Sequence, residues 1–311
     1  MEFFKRKTSI PFMATRRWSY GISASLIVGS LLLLAVRGLN FGIDFTGGVV
    51  IELAFPQSAD LEKVRGALAS AGYGEASVQS FGTSKDVLVR VLPEEGKDVN
   101  QVSQGVLAAI QSYAPAVELR RTEVVGSQVG RELAEKGALA ALFTFLMILI
   151  YIALRFQVKL GVGSILAALH DPIVVLGFFA ATQMTFDLPT LAAMLAVVGY
   201  SLNDTVVVFD RIRERFFMTR KDEPAKTIDI AVNETLSRTL MTSVTTLMAV
   251  LSLLIFGGDV LKGFATALAI GVVVGTFSSI YVASAIALDL KLTARDLMPA
   301  QREKGDVDAL P

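Results

Sequence analysis

Residues 199–211 read GYSLNDTVVVFDR, and they place Asn203 and Asp204 near the end of an otherwise apolar stretch. The stretch begins near Leu188, so it is long enough to cross a bilayer, for which about 20 residues are needed. An ionisable side chain is costly in hydrocarbon and normally faces the interior of a helix bundle or a water path. We therefore expect a membrane protein in which Asp204 marks a functional site.

Six stretches have the length and composition of membrane-spanning helices. The chain has 311 residues, of which 53% are hydrophobic, more than a soluble domain of this length usually carries. We expect the first stretch to be a retained helix rather than a signal peptide, because its apolar run is too long and Arg37 follows it instead of a cleavage site. The predicted spans are 18–37, 137–154, 160–181, 188–209, 239–256 and 263–288.

Basic residues of the connecting segments fall on one side of a six-span arrangement. The opposite short loops, 183–187 and 257–262, contain only one basic residue, Lys262. Since basic segments stay in the cytoplasm, both termini are predicted to be cytoplasmic and region 38–136 periplasmic. The cytoplasmic segments are then 1–17, the turn at 155–159, 210–238 and the tail at 289–311.

Region 38–136 is charged, and its sequence predicts one small α+β domain, called the outer domain below. Its order of strands and helices, βαββαβ, is the ferredoxin-like pattern, with any other small α+β domain as the alternative. A hairpin turn is expected at 82–85, and Ser58 or Asp60 is expected to cap the first helix. The predicted strands are 49–55, 78–81, 87–92 and 116–125, and the predicted helices are 60–71 and 99–113.

The composition excludes several kinds of chemistry. There is no cysteine and only one histidine, so a disulfide, a thiolate metal site and a histidine cluster are excluded. The phosphate-binding motif of ATPases does not occur in the sequence. We expect no metal, no cofactor other than protons as coupling ions, no catalytic residue and no nucleic-acid partner, and hence no enzyme.

Polar residues on the fourth and fifth spans are predicted to meet inside the membrane. Tyr200, Asn203 and Asp204 share one helical face, and Arg238 begins the next, antiparallel span. A cation favours the charged carboxylate and desolvation disfavours it, so Asp204 beside Arg238 can load and release a proton. The alternatives are a carboxylate that reaches headgroup water and an arginine that extends to the interface.

Other intramembrane residues are secondary candidates. His170 and Asp171 lie midway along the third span, before Pro172, where a packed polar pair that joins helices is the alternative; Asn203 is the third candidate. On the sixth span, small residues recur every four positions, which lets another helix approach closely, in this chain or in another. This stripe includes Gly263, Ala267, Gly271, Gly275 and Ser279.

Three stretches carry a resemblance to a known family: FGIDFTGG at 41–48, GYSLNDTVVVFDRIRE at 199–214 and SRTLMTSVTTL at 237–247. From about residue 18 to 290 the chain resembles the SecF family of protein-export membrane proteins, in the resistance-nodulation-division (RND) superfamily. The resemblance implies an accessory subunit of the Sec translocase in the bacterial inner membrane. It implies protein transport driven by the proton motive force, with proton transfer at Asp204 and Arg238.

The same resemblance implies partners and a mechanical role for the first motif. The expected partners are SecD in a heterodimer, the SecYEG channel with a YajC-like subunit, the translocating unfolded polypeptide and the lipid bilayer. Asp44, Gly47 and Gly48 are hinge candidates where the outer domain meets the membrane, with a static turn as the alternative.

Three other functions compete with this interpretation. One is half of a proton-driven RND efflux carrier, completed by a homodimer, and another is a passive scaffold of the translocon. The third is an intramembrane hydrolase that uses Ser201 and His170, which the absence of a nucleophile elbow disfavours.

Overall fold

Long apolar helices dominate the structure, a computed structural model that describes residues 8–91, 99–219 and 223–297. Within these residues, six helical spans are long and apolar enough to cross a membrane. A π-helical turn, Ser278–Ala283, joins the last two helices. In chain order the elements are α1 Arg16–Arg37, β1 Asn40–Phe41, α2 Ile43–Thr46, β2 Gly48–Ala54, α3 Leu61–Ser70, β3 Ser77–Phe81, β4 Thr83–Val91, α4 Val99–Gln111, β5 Glu118–Val125, α5 Ser127–Arg155, α6 Val158–Thr182, β6 Thr185–Phe186, α7 Leu188–Met218, α8 Pro224–Phe256, α9 Gly258–Phe277 and α10 Ser284–Asp289.

Several helices extend beyond the spans that hydropathy predicts. Helix α5 begins at Ser127, inside the region assigned to the outer domain, and α7 continues to Met218. Helix α8 begins at Pro224, so the segment predicted as the loop 210–238 is largely helical. Hydropathy measures the thickness of the apolar layer, whereas the helix itself continues through polar residues of adequate helix propensity. Residues 1–7 and 298–311 of the predicted terminal segments, and 220–222, lie outside the described residues.

The outer domain contains a four-stranded antiparallel sheet in the order β3-β4-β2-β5. Helices α3 and α4 cover one face of the sheet, where alternate strand residues are buried. Of the two predicted caps, Ser58 and Asp60, it is Asp60 that caps α3, accepting hydrogen bonds from the backbone N–H groups of Glu62 (3.2 Å) and Lys63 (3.3 Å). The hairpin is tighter than predicted, since β4 already begins at Thr83 and Gly82, with φ +69°, makes the turn.

Helices α6 and α7 form the centre of the bundle. In their most apolar windows 61% and 50% of the residues are buried, compared with 17% for α1, 11% for α5 and 17% for α8. The peripheral helices therefore present apolar faces to lipid or to a partner, whereas α6 and α7 are surrounded by protein.

The stripe of small residues on α9 packs against α7 of the same chain. A Cβ added at Gly271 would lie 2.8 Å from the Cβ of Val197, and one at Gly275 would lie 2.9 Å from the Cβ of Ser201. Ala267 is buried, and the Ser279 hydroxyl donates a hydrogen bond to the backbone carbonyl of Ser201 (3.1 Å). The sequence left the partner of the stripe open, and the structure identifies it as α7.

Replacing Gly271 with valine should destabilise the bundle because the new side chain overlaps Val197. We expect a loss of about 1–3 kcal/mol of unfolding free energy, typical of overpacking, seen as a lower midpoint of thermal unfolding of the full chain in detergent. Gly199→Ala on α7 is the matched control, because an added Cβ there meets no atom within 4 Å. Equal midpoints for Gly271→Val and wild type would contradict the described approach of α9 to α7.

Candidate functional site

Asp204 lies on α7 and faces α8. Its residue is 3% exposed, with Thr242 in hydrogen-bonding reach and Arg238 close enough to act on its charge. Oδ2 of Asp204 is buried and has no hydrogen-bond partner among the described residues. Since a buried polar atom without a partner is costly, this oxygen is an available acceptor inside the protein.

A short chain of hydroxyl groups lies one helical turn from Asp204. The Tyr200 hydroxyl donates to Ser243 Oγ on α8 (3.2 Å), and Ser243 Oγ lies 2.6 Å from Thr276 Oγ1 on α9. Helices α7 and α8 are antiparallel, so one turn from Tyr200 to Asp204 on α7 corresponds to one turn back from Ser243 to Thr239 on α8. Thr239 therefore lies at the level of Asp204. The buried hydroxyl of Thr239 also lacks a partner among the described residues. Two unsatisfied oxygens thus occur at the same level of the α7–α8 interface.

Arg238 and Asn203 occupy different surroundings from Asp204. Both are exposed in the isolated chain although they lie on spanning helices. Within the described residues, Arg238 forms no ion pair with Asp204 at the 4.0 Å limit; it influences the carboxylate from a longer distance. The structure therefore brings three predicted residues to one region but buries only the carboxylate.

His170 and Asp171 form a separate buried network on α6. His170 is 2% exposed and Asp171 0% exposed, and His170 Nδ1 lies 2.8 Å from Asp171 Oδ1. Asp171 Oδ2 accepts hydrogen bonds from the hydroxyls of Ser201 on α7 and Ser278 in the π-helical turn, the latter at 3.0 Å. The pair joins three segments, which agrees with the helix-joining alternative.

This network lacks the geometry of a hydrolase. The Ser201 hydroxyl donates to Asp171, and no hydrogen bond between Ser201 and His170 occurs among the described residues. A nucleophile within reach of its base is the first requirement of such a site. The described residues also contain no group of three or more metal-binding side chains.

The hinge candidates lie in a close-packed joint between the outer domain and the bundle. Asp44 Oδ2 accepts a hydrogen bond from the backbone N–H of Leu188 (3.0 Å), the first residue of α7. Gly47 has φ +69°, and a Cβ at Gly130 on α5 would lie 2.5 Å from the backbone nitrogen of Gly47. Strands β1 and β6 pair in parallel beside this contact. The joint needs glycine for both backbone conformation and close approach.

Arg90 adds a second connection between the sheet and the bundle. From β4 it donates hydrogen bonds to the Asn40 side chain (3.3 Å) and to the backbone carbonyl of Phe41 on β1. Burial lowers the pKa of Arg90 from its usual value. The sheet is thus held to β1, which in turn pairs with the strand that leads into α7.

Sequence reasoning missed four hydroxyl residues of these networks. Thr239 and Ser243 recur at i and i+4 on α8, but the prediction for this span rested on Arg238, which lies on an adjacent face. No prediction covered Thr276 or Ser278, which adjoin the predicted stripe of small residues. The missed residues are Thr239, Ser243, Thr276 and Ser278.

Two family models match the chain. The model described as "Protein export membrane protein SecD/SecF, C-terminal" matches residues 106–293, which include all residues of both buried networks. The model described as "SecD/SecF GG Motif" matches residues 32–59, which include the joint at Asp44 and Gly47.

Similar proteins and structures agree with this assignment. A protein translocase subunit SecF of Vibrio alginolyticus is 46% identical over 100% of this chain and 99% of the relative, and one of Pseudomonas aeruginosa is 48% identical over 97% and 98%. A crystal structure of SecDF from Thermus thermophilus, described as a translocon-associated membrane protein, has TM-score 0.81 at 35% identity. It covers 94% of this chain, which spans only 40% of that one. SecDF in a super-membrane-facing form has TM-score 0.66 at 34% identity, with the same coverage. The chain belongs to the SecD/SecF family of protein-export membrane proteins, as a SecF member.

Proposed function

We propose that the chain is an accessory subunit of the Sec translocase that, with SecD, uses the proton gradient to promote polypeptide export across the bacterial inner membrane. The observation that carries the proton-driven part is Asp204, a buried carboxylate on a spanning helix with one oxygen free of partners. Such residues at membrane depth mark ion or proton pathways. We assign the chain transport rather than enzymatic chemistry, with protons as the coupling ions.

The surroundings of Asp204 support a proton relay. The nearby charge of Arg238 and the hydroxyl of Thr242 stabilise the ionised carboxylate, while burial stabilises the protonated one. Because Arg238 is not held in an ion pair with Asp204 in the described structure, its distance can change with conformation. A change in that distance, or in water access to Oδ2, would shift the balance between the two states.

The ion pairs at one end of the bundle support the proposed orientation. Arg16 pairs with Asp289 (3.2 Å), Lys159 with Asp296 (2.7 Å), and Arg155 with Asp210. These contacts join the four segments that the distribution of basic residues assigns to the cytoplasm. The outer domain then lies on the periplasmic side, and both ends of the chain lie in the cytoplasm.

Exposed polar side chains support pairing with SecD. Asn203 on α7 and Arg238 on α8 are exposed in the isolated chain at positions where lipid would leave their polar groups unsatisfied. The chain also spans only 40% of the SecDF chain, whose name joins both proteins. A second set of helices against this face would cover these groups. The SecYEG channel, a YajC-like subunit and the translocating polypeptide are proposed as partners from the family resemblance.

We assign the outer domain to the ferredoxin-like class and propose that it moves with α7. The βαββαβ order and the antiparallel strand order β3-β4-β2-β5 support the class. Two SecDF crystal structures of similar identity to this chain superpose with TM-scores of 0.81 and 0.66, so their arrangements differ. The contact of Asp44 with the start of α7, and Asp204 further along α7, would connect such a rearrangement to the relay. The passive-scaffold alternative gives Asp204 no role in export.

Asp204→Asn should abolish the gradient-dependent part of export while the protein still assembles. Asparagine keeps the size of the side chain but cannot release a proton. The measurement is export into inner-membrane vesicles that contain this chain and SecD, with and without a proton gradient.

The matched control for this experiment is Glu214→Gln, which removes an exposed carboxylate from the same helix. We expect it to behave as wild type. Unchanged gradient dependence in Asp204→Asn, at normal assembly, would favour the passive scaffold.

Asp44→Ala should weaken the joint, whereas Asp44→Asn should largely preserve it. Alanine removes the acceptor for the Leu188 N–H, at a cost of about 1 kcal/mol for a helix cap, and asparagine keeps an acceptor oxygen. Thermal unfolding of the full chain should show a lower midpoint for alanine only. Gradient-dependent export should fall in the same order, and equal behaviour of the two variants would refute a capping role.

Asn203→Cys should cross-link to a cysteine introduced in SecD. The chain contains no cysteine, so a single variant reports one position. Leu142→Cys, on the exposed apolar side of α5, is the control that should not cross-link. A covalent homodimer through position 203 at native expression, without a SecD product, would favour the efflux-carrier alternative.

A further inference from the structure

We infer that His170 and Asp171 form a second proton-binding site, separate from Asp204, in which His170 Nε2 accepts the proton and Asp171 stabilises the resulting imidazolium. Both side chains of the site are buried. His170 is 2% exposed, and its Nε2 is buried without a hydrogen-bond partner among the described residues. The binding site stands on its own geometry, and only its use in export rests on the proposed function.

The contacts of Asp171 fix the state of the histidine ring. His170 Nδ1 lies 2.8 Å from Asp171 Oδ1. An ionised carboxylate can only accept, so with Asp171 ionised Nδ1 carries the hydrogen of the neutral ring. Nε2 then holds the lone pair, and it is the ring nitrogen with room for a further proton. The neighbouring residue therefore sets the tautomer, as a carboxylate does for a histidine base.

The charge of Asp171 makes protonation of the ring favourable. Its carboxylate accepts hydrogen bonds from the hydroxyls of Ser201 and Ser278 and lies beside the ring, so its charge can balance an imidazolium. A single negative charge at 0% exposure on a spanning helix is costly, whereas an imidazolium–carboxylate pair is neutral as a unit. The bundle core thus gains from taking up one proton at Nε2.

The two sites lie on different sides of α7. Ser201 points to Asp171 and to the π-helical turn, whereas Asp204 faces Thr242 and Arg238 on α8. A rotation or shift of α7 therefore acts on both sites at once. Occupancy of the His170 site would strengthen or loosen the contact between α6, α7 and the π-helical turn.

Few other titratable groups on the packed helices can account for a proton taken up here. Residues 263–277 of α9 contain no ionisable side chain. Tyr20 of α1 donates to Asp289 of α10 (2.8 Å), and Tyr281 packs its ring against Phe277. Tyr151 on α5 is exposed. In residues 188–209 of α7 the titratable groups are Tyr200, which donates to Ser243, and Asp204.

The single histidine makes the inference directly measurable. His170 is the only histidine of the chain, so protein labelled with ¹⁵N-histidine gives one ring to observe. The full chain, purified through an affinity tag without histidine and placed in lipid nanodiscs, is titrated by NMR. The ring ¹⁵N shifts show which nitrogens carry a proton at each pH.

We expect a neutral ring with its hydrogen on Nδ1 at high pH and a doubly protonated ring at lower pH, in folded protein. Asp171→Asn should weaken proton binding by about tenfold or more, because the neutral amide no longer balances the imidazolium. Asp204→Asn should leave the ring titration unchanged. A ring that stays neutral until the protein unfolds, or that keeps its hydrogen on Nε2, would overturn the inference.

Two further results keep the test decisive. If Asp171→Asn does not fold, Ser278→Ala is used, because the loss of one donor leaves more of the carboxylate's charge for the ring and should strengthen proton binding. Loss of ring protonation in Asp204→Asn would show that the two groups form one site and would overturn the separate one. Normal export in Asp204→Asn would refute the proposed relay and leave the ring titration as it was, so the two failures are distinguishable.

Discussion

The close approach of α9 to α7 is the contact on which both buried networks depend. Gly271 and Gly275 leave no side chain between the helices, so Val197 and Ser201 lie directly against the α9 backbone. This approach places the start of the π-helical turn beside Asp171 and Thr276 beside Ser243. In lipid there is little hydrophobic force between helices, so small residues and interhelical hydrogen bonds provide the association. A bulky residue in the stripe would separate the polar groups as well as the helices.

The bundle divides its polar residues according to how completely they are satisfied. The Asp171 carboxylate accepts from the hydroxyls of Ser201 and Ser278 and so holds α6 to α7 and the π-helical turn. Asp204 Oδ2, Thr239 Oγ1 and His170 Nε2 are buried without a partner among the described residues. Fully satisfied networks rigidify a core, and unsatisfied buried groups are expensive to maintain. The interface of α7 with α8 therefore contains two unsatisfied oxygens. Asn203 and Arg238, on the same two helices, are exposed in the isolated chain.

Much of this arrangement follows from the sequence because the cost of charge in hydrocarbon is large. Asp204 and Asp171 are identifiable on that ground alone, and Asp60 is identifiable as a cap from its place before an apolar repeat. The start of α5 at Ser127 could not be predicted from the sequence, because hydropathy reports the apolar layer and not the part of the helix that extends beyond it. Thr239 and Ser243 escape prediction because hydroxyls lie on more than one face of α8, and only packing fixes its rotation. The hydrogen-bond partner of Asp44 is the backbone N–H of Leu188, and no pattern of residue types predicts a backbone partner.

The π-helical turn lies where the last span passes from α7 to α6. Gly263, Gly271 and Gly275 face residues of α7, but the carbonyl of Ala283, at the end of the turn, lies 2.8 Å from where a Cβ of Gly163 on α6 would be. A repeat of four residues moves about 40° around an α-helix at each step, since each residue turns the chain by about 100°, so the stripe itself turns from α7 toward α6 over several steps. The wider turn adds one residue to the ring of hydrogen bonds and so resets the phase of the helix. The number of residues between 278 and 283 therefore sets the orientation of α10. Removing one residue there would rotate α10 about its axis by roughly a quarter of a circle and turn its small side chains away from α6.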